Sequence, residues 1–544
     1  MLEVTASIAA VQKATQVDGS LFKCRFPFRY RLLREYGLVK PQRGVCDKLQ
    51  FFKEELSFSG LSVSFVSQYA ESPASIMGHI FLQFKNPRGK IHGTHNSNLD
   101  KTVNYAAAMP RDTNILAYVV GGITGWFSGQ YSLYQYADMV KKYSDIESRD
   151  IFRYKLNFSE EEIERSIEHI WELILYGQQD YYFFDENCAL QVLAILNAVR
   201  PDLQILDEVG FYTSPLSVIK IIDKLGLVKS IAFEPSLFHK LQSKLKAMDE
   251  TEIDQFEHFS ATGFLDTSAS PLVAESMIDM LDINRYENRG QLARAQEKQY
   301  DEVLAYRSAL GIAAPYMQEI TPNTPHAAHG GRRLASGRGL SQQSSYSFLS
   351  FRPGIHDLIS QPAGFQKNSA FQILTAQIRI YDESQRPILG EVILFDIKKL
   401  SSESALPSLV WSFDYRLASK ENSCSLCLTP NFQHKAGFSQ TLFKNTVDIF
   451  YLGSAQILPY VGQEQWQGGL GLTLGASLSI RNWFRITGFQ SRHYNSKSQE
   501  LDESKISAAA SWTKNFDLRA GYTKANLDGN NIFSEISGGI GYSF

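Results

Sequence analysis

Cysteine is scarce in this chain of 544 residues, with five thiols at positions 24, 46, 188, 424 and 427. That rules out a small scaffold stapled by many disulfides and makes the spacing of each thiol informative. Long blocks of one charge sign are also missing, and the formal net charge is only −3. A nucleic-acid partner held by neutralising phosphates is therefore not expected. The longest uncharged stretch, 113–137, is broken by Gly121, Gly122, Gly125 and Gly129 and carries Asn114, Gln130 and Gln135. It lacks the ~20 mostly apolar residues of a membrane-spanning helix and reads as loops and short strands. The opening, "MLEVTASIAAVQKATQVDG", shows no basic segment followed by an apolar one. The expectation is either a chain that is not exported or one whose leader has been removed.

What is present divides the chain. The length exceeds what one core usually serves, which predicts at least two domains. Up to about residue 320 strand-like pieces such as "HIFLQF" sit beside amphipathic helices. "SEEEIERSIEHIWELI" offers Ser159 as cap and Glu162 as its capping-box partner, then sets Ile163, Ile167, Ile170, Trp171 and Ile174 on one face. Residues 236–310 continue as helical text, and "TPNTPHAAHGGRRLASGRG" reads as a broken connector.

After the connector the period becomes two. Leu470, Leu472, Leu474, Ala476, Leu478 and Ile480 alternate with Gly471, Thr473, Gly475, Ser477 and Ser479. Trp411, Phe413, Tyr415 and Leu417 alternate with Ser412, Asp414 and Arg416. A soluble sandwich also alternates, but segments of about ten residues with one aromatic and aliphatic face suit strands tilted across a bilayer. The chain closes on "EISGGIGYSF", with Ile536, Ile540, Tyr542 and Phe544 on one face. This resembles the last strand of bacterial outer-membrane barrels that is read by their assembly machinery. The expected C-terminal part is an antiparallel transmembrane β-barrel of about 10 to 12 strands, narrow, filled by side chains and an anchor rather than a conduit.

At an outer membrane thiols pair, so Cys24 with Cys46 and Cys424 with Cys427 are disulfide candidates, leaving Cys188. "ENCALQVLAILNAV" reads as a helix capped by Asn187 with Cys188 at its first position. There the free amides and the positive dipole end favour a thiolate and can hold an oxyanion. The bland reading is a buried, inert thiol. The base candidate is His79, which opens a strand before a turn at Pro87-Arg88-Gly89. If the returning chain pairs positions summing to 174, His95 faces His79; a one-residue slip brings Asn96 or Thr94 instead. The group that orients the imidazole is open among His95, Asn96 and Asn104. The histidines lack the i, i+4 spacing of helical zinc sites, so no metal and no cofactor are expected.

"SPASIMGHIFLQF", then "VNYAAA", then "YYFFDENCA" resemble, in order and spacing, the bacterial Lnb N-terminal periplasmic domain family, named after a lipoprotein N-acyltransferase. "FKCRFPFRYRLL", "HGGRRLASGRG" and "FRPGIHDLISQPAGF" resemble flanking segments of longer, barrel-bearing members. Histidine before cysteine is also similar to permuted papain-like folds related to NlpC-type hydrolases. The resemblance implies a Gram-negative outer-membrane protein of α+β class, with a periplasmic permuted papain-like domain and a helical segment before the barrel. It implies acyl transfer or hydrolysis through a thioester, with Cys188 as nucleophile and His79 as general base and acid. Asn187 and Tyr105 fall on motif positions without an assigned role. Ala189 and Leu190 depart from the hydroxyl-rich residues that follow the cysteine in many members, which bears on substrate preference.

The expected boundaries are 1–70 for an N-terminal segment, 71–230 for the catalytic domain, 231–324 for a helical connector and 325–544 for the barrel. The expected partners are the outer-membrane bilayer, the barrel assembly machinery and a lipid, lipoprotein or peptide substrate. A peptidoglycan amidase or peptidase is the alternative chemistry. A transporter or scaffold with a retired site is the non-enzymatic one.

Overall fold

The computed structural model describes residues 21–544 apart from 57–58, 69–76, 88–89, 92–93, 111–112, 114–116, 118–120, 123, 184, 211, 288–290, 313–323, 343, 402–408, 420–427, 443–445, 460–465, 481–482 and 496–497. The chain forms two units, Met1–Ile320 and Thr321–Phe544. Cys424 and Cys427 lie outside the described residues.

Seven strands make an antiparallel sheet in the first unit: β1 Leu61–Val66, β2 His79–Phe84, β3 Lys101–Ala108, β4 Phe127–Gln135, β5 Ile151–Leu156, β6 Gln179–Tyr181 and β7 Val228–Glu234. Their spatial order is β6-β4-β3-β2-β1-β5-β7. The interior strand β1 therefore comes from upstream of the boundary expected at 70. β1 and β2 are buried on both faces, which suits their nearly unbroken apolar text. One face of β2 carries Phe81 into a cluster with Val66, Tyr136, Met139, Tyr143 and Ile151.

Two helices from the start of the chain, α1 Pro27–Glu35 and α2 Asp47–Glu55, are joined by the Cys24–Cys46 disulfide. They pack on α3 Glu160–Tyr176, whose Ser159 and Glu162 form the expected capping box. α3 also buries two carboxylates, Glu168 and Glu172, which a helix tolerates only if they are paired. Arg31 forks onto Glu168 at 2.6 and 2.8 Å, Lys53 reaches the same group at 2.6 Å, and Arg29 lies 3.2 Å from Glu172. Burial still pushes Glu172 up to about 7, prevailing over Arg29.

Helices α4 Cys188–Val199 and α5 Pro215–Lys224 follow, then α6 Leu237–Ala247, α7 Glu250–Thr262, α8 Pro271–Glu287 and α9 Arg294–Ala309. The last four build their own core around Leu241, Phe259, Val273, Met277 and Val303.

The second unit is a closed barrel of twelve strands: β8 Arg333–Ser341, β9 Ser345–Arg352, β10 Ser369–Tyr381, β11 Pro387–Lys399, β12 Val410–Ser419, β13 Leu428–Leu442, β14 Val447–Pro459, β15 Trp466–Ile480, β16 Phe484–Asn495, β17 Glu500–Ser511, β18 Phe516–Leu527 and β19 Asn530–Ser543. The ladder closes where β8 pairs with β19, from Arg333 opposite Ser543 to Ser341 opposite Glu535. A short piece, Gly354–His356, prolongs β9 beyond Pro353 along β10. The period-two text sorts by side. Leu470 and Leu472 are 72% and 73% exposed, whereas Thr473 and Ser477 further along the strand are buried.

Inward groups pair along and between the barrel strands, including Arg333 with Asp517, Arg379 with Glu535, and Arg416 with Asp414 and Glu391. The connection after Gly354–His356 also turns inward. Asp357 meets Arg352 and Arg519, and Asn368 meets Asp448 and Arg485, all buried or nearly so. A closed ladder with an apolar exterior and an ion-paired interior is the pattern of a membrane-spanning barrel.

Candidate functional site

The site forms where the sheet splays. β2 pairs with β1 along its whole length, from Val66 opposite His79 to Leu61 opposite Phe84. It pairs with β3 only from Leu82 opposite Val103 to Phe84 opposite Lys101. Residues 79–81 therefore keep one backbone edge unmatched by β3, and α4 packs its start against that edge.

Asn187 sets the start of α4. Its Oδ1 accepts from the N–H groups of Ala189 and Leu190 at 2.9 and 3.2 Å, and its Nδ2 donates to the carbonyls of Phe183 and Thr213 at 3.0 and 2.8 Å. This is an N-cap with every amide atom used. It also revises the expectation that free helix-start amides hold an oxyanion, because two of them serve the cap. The amide of Cys188 itself faces its own sulfur.

Cys188 is a free thiol, 5% exposed. The backbone N–H groups of Ile80, Cys188 and Ala189 and the Tyr181 hydroxyl are near enough to the sulfur to favour its anion, although the Ala189 N–H also serves Asn187. The sulfur thus rests on the peptide that joins His79 to Ile80. These donors favour the anion, yet burial outweighs them and pushes the thiol up to about 11. The expected thiolate is therefore corrected to a neutral thiol, since the dipole and amides of one helix end do not offset full desolvation. Thiolate content then rises with pH right up to about 11, so the rate of Cys188 alkylation by iodoacetamide should climb about tenfold per pH unit from neutrality to about pH 10. A plateau by about pH 8, read by mass spectrometry of the alkylated peptide, would contradict it.

His79 Nε2 lies 2.5 Å from Asn104 Oδ1. With an amide oxygen as acceptor, Nε2 carries the proton and Nδ1 keeps its lone pair. Burial lowers the imidazole to about 4, helped by the cations Arg149 and Lys142 and opposed by Asn104. Both members of the pair are neutral at rest.

Of the three candidates to orient the imidazole, the structure brings Asn104 to His79. His95 pairs with Lys90, and Ile91 with Thr94, so positions sum to 185 and not to 174. The same sum holds for Leu82 with Val103, so one hairpin register runs through both ladders and the chain reverses between Ile91 and Thr94. Asn96 is occupied elsewhere, its Oδ1 accepting from the Asn98 amide at the start of a short turn.

Tyr105 is buried with its ring 4.7 Å from Tyr131 and 5.8 Å from Tyr181, and burial raises it to about 12. A Cβ at Gly129 would stand 1.7 Å from the Tyr105 hydroxyl, so that position admits only glycine. Tyr131 donates to Gln191 at 2.7 Å, and Gln191 donates to Glu186 at 3.1 Å, fixing the aromatic wall to α4. Sequence reasoning missed Tyr181, although an aromatic hydroxyl on the strand entering the cysteine helix was a legible signal. Among the described residues no three His, Cys, Asp or Glu side chains are placed to hold a metal.

Residues 48–224 match the Lnb N-terminal periplasmic domain, a span that contains His79, Asn104 and Cys188. Residues 322–539 match a domain of unknown function, DUF7840. The closed, apolar-skinned barrel and the periplasmic domain together decide the location. This is an outer-membrane protein with its N-terminal domain in the periplasm. No curated protein matches the chain. Among solved structures the KdgM porin is 12% identical, with 39% of this chain and 99% of that one covered and a TM-score of 0.23. The NanC porin is 10% identical, covering 39% and 98%, with a TM-score of 0.25. An outer membrane channel from Pseudomonas putida F1 is 9% identical, covering 43% and 100%, with a TM-score of 0.25.

Proposed function

We propose that the periplasmic domain transfers or hydrolyses an acyl group through a thioester on Cys188, with the barrel as its anchor. The observation that carries this reading is the seating of the sulfur on the His79–Ile80 peptide, with His79 held by Asn104. In this reading Cys188 is the nucleophile, His79 the base and Asn104 the orienting amide. Because thiol and imidazole are both neutral, the proton moves to His79 Nδ1 as the carbon–sulfur bond forms. The carbonyl π pair moves to oxygen, near the amides of Cys188 and Ile80. Collapse of the tetrahedral intermediate expels an amine or alcohol that takes the proton from His79. An incoming amine or water then loses its proton to His79, attacks the thioester and restores the thiol. The aromatic wall and the membrane location favour a lipid or lipoprotein acyl donor over a peptide amide of peptidoglycan.

A scaffold or transporter with a retired site has support of its own. The thiol is sealed at 5% exposure, and the barrel is a complete outer-membrane element without it. A lipid-tailed acyl electrophile separates the readings. The enzymatic one expects a thioester on Cys188 that is lost in His79→Ala. An unlabelled wild type, with full cellular function of Cys188→Ala at equal protein level, would establish the scaffold.

A further inference from the structure

The segment between α1 and α2 is an exposed apolar tip on a fixed base. Tyr36, Leu38 and Val45 are 78%, 45% and 80% exposed within ten residues of chain. Scattered exposed apolar side chains are ordinary on a protein surface, but three on one short loop are not. The loop is held in place. The Cys24–Cys46 disulfide closes it, Lys23 Nζ donates to the carbonyls of Gly44 at 2.6 Å and Gln42 at 3.2 Å, and the Gln42 N–H donates to the Tyr30 hydroxyl at 2.6 Å. Its exposure is thus built in.

The charges around the tip have one dominant sign. Arg34, Lys40, Arg43 and Lys48 are exposed and have no ion-pair partner among the described residues. Of the nearby acids, Glu35 is engaged by Arg165 at 3.2 Å, leaving Asp47. Exposed aromatic and aliphatic groups among free cations are the composition of a segment that lies in the headgroup region of an anionic bilayer. A protein docking surface would call for a broad apolar patch rather than a short disulfide-closed loop that carries exposed cations beside its apolar groups.

We propose that the disulfide-closed loop 36–45 dips into the phospholipid surface facing the periplasm, with Tyr36, Leu38 and Val45 at the level of the glycerol groups and Lys40 and Arg43 on anionic headgroups. This stands independently of the chemistry assigned to Cys188. Full-length protein in nanodiscs of phosphatidylethanolamine, with or without phosphatidylglycerol, carries the test, using a phospholipid with a diazirine near the glycerol end of one acyl chain. Irradiation should give lipid adducts on the peptides spanning 36–45. The yield should rise with phosphatidylglycerol and fall about tenfold in the Lys40→Glu/Arg43→Glu protein. Leu38→Asp/Val45→Asp should lower it in both lipid mixtures. All four substitutions are on exposed side chains, and an intact Cys24–Cys46 bond on a non-reducing peptide map shows that the loop is formed. An absence of adducts on 36–45 in the wild type, or a yield that neither pair of substitutions changes, overturns the proposal.

Discussion

If Cys188 forms the proposed thioester, replacing it by alanine should remove all acylation, and replacing His79 by alanine should slow acylation by about a hundredfold to ten-thousandfold at neutral pH. The second figure follows from the resting state. A thiol pushed up to about 11 supplies almost no thiolate at neutrality, so attack depends on a base that accepts the proton in the same step. With His79 gone, only the small fraction ionised by hydroxide remains, and the residual rate should grow with pH up to about 11. The measurement is single-turnover acylation by an ester probe, followed by mass spectrometry across pH. A His79→Ala protein that acylates at the wild-type rate would mean that the imidazole takes no part.

The other large effect lies in the barrel. Arg519 ties three groups together, at 2.7 Å to Asp357, 2.9 Å to Ser360 and 2.9 Å to Asp517. Asp357 and Ser360 belong to the inward-turned connection, whereas Asp517 belongs to the wall. Arg519→Met leaves two carboxylates short of a partner and should destabilise the barrel by about 3 kcal/mol, because breaking a buried pair costs more than the pair contributes. The midpoint of heat-induced unfolding on a gel that separates folded from unfolded barrels checks this. The connection 357–368 should also loosen, so conductance across a planar bilayer should rise above that of the wild type. Adding Asp357→Asn should recover part of the loss, since the two sites share one network. A barrel as stable and as quiet as the wild type would show that the connection is held by its backbone alone.

Local signals were legible in the sequence where they depend on near neighbours. The Ser159 capping box, the Asn187 cap and the alternation of β15 follow from residues within one turn or one strand. Three features were not, and each depends on tertiary packing. The register beside His79 is one, because Pro87-Arg88-Gly89 resembles a turn while the chain reverses later, between Ile91 and Thr94. The protonation of Cys188 is another, because it depends on how deeply tertiary packing buries the sulfur. The choice of Asn104 is the third, since it sits twenty-five positions from His79 and is brought there by the register of β2 on β3. Tyr181 adds a lesson about range: a hydroxyl seven residues before the cysteine meets it only because β6 runs back along β4.

The seam between Arg333–Ser341 and Asn530–Ser543 makes the opening strand of the barrel wait for its closing strand. Everything upstream emerges from the export machinery first, so the sheet and the Cys24–Cys46 link can form while the barrel is still an unzipped ribbon. Barrel closure therefore depends on the most distant contacts in that half of the chain. A protein stalled there would present a finished periplasmic head on an uninserted tail.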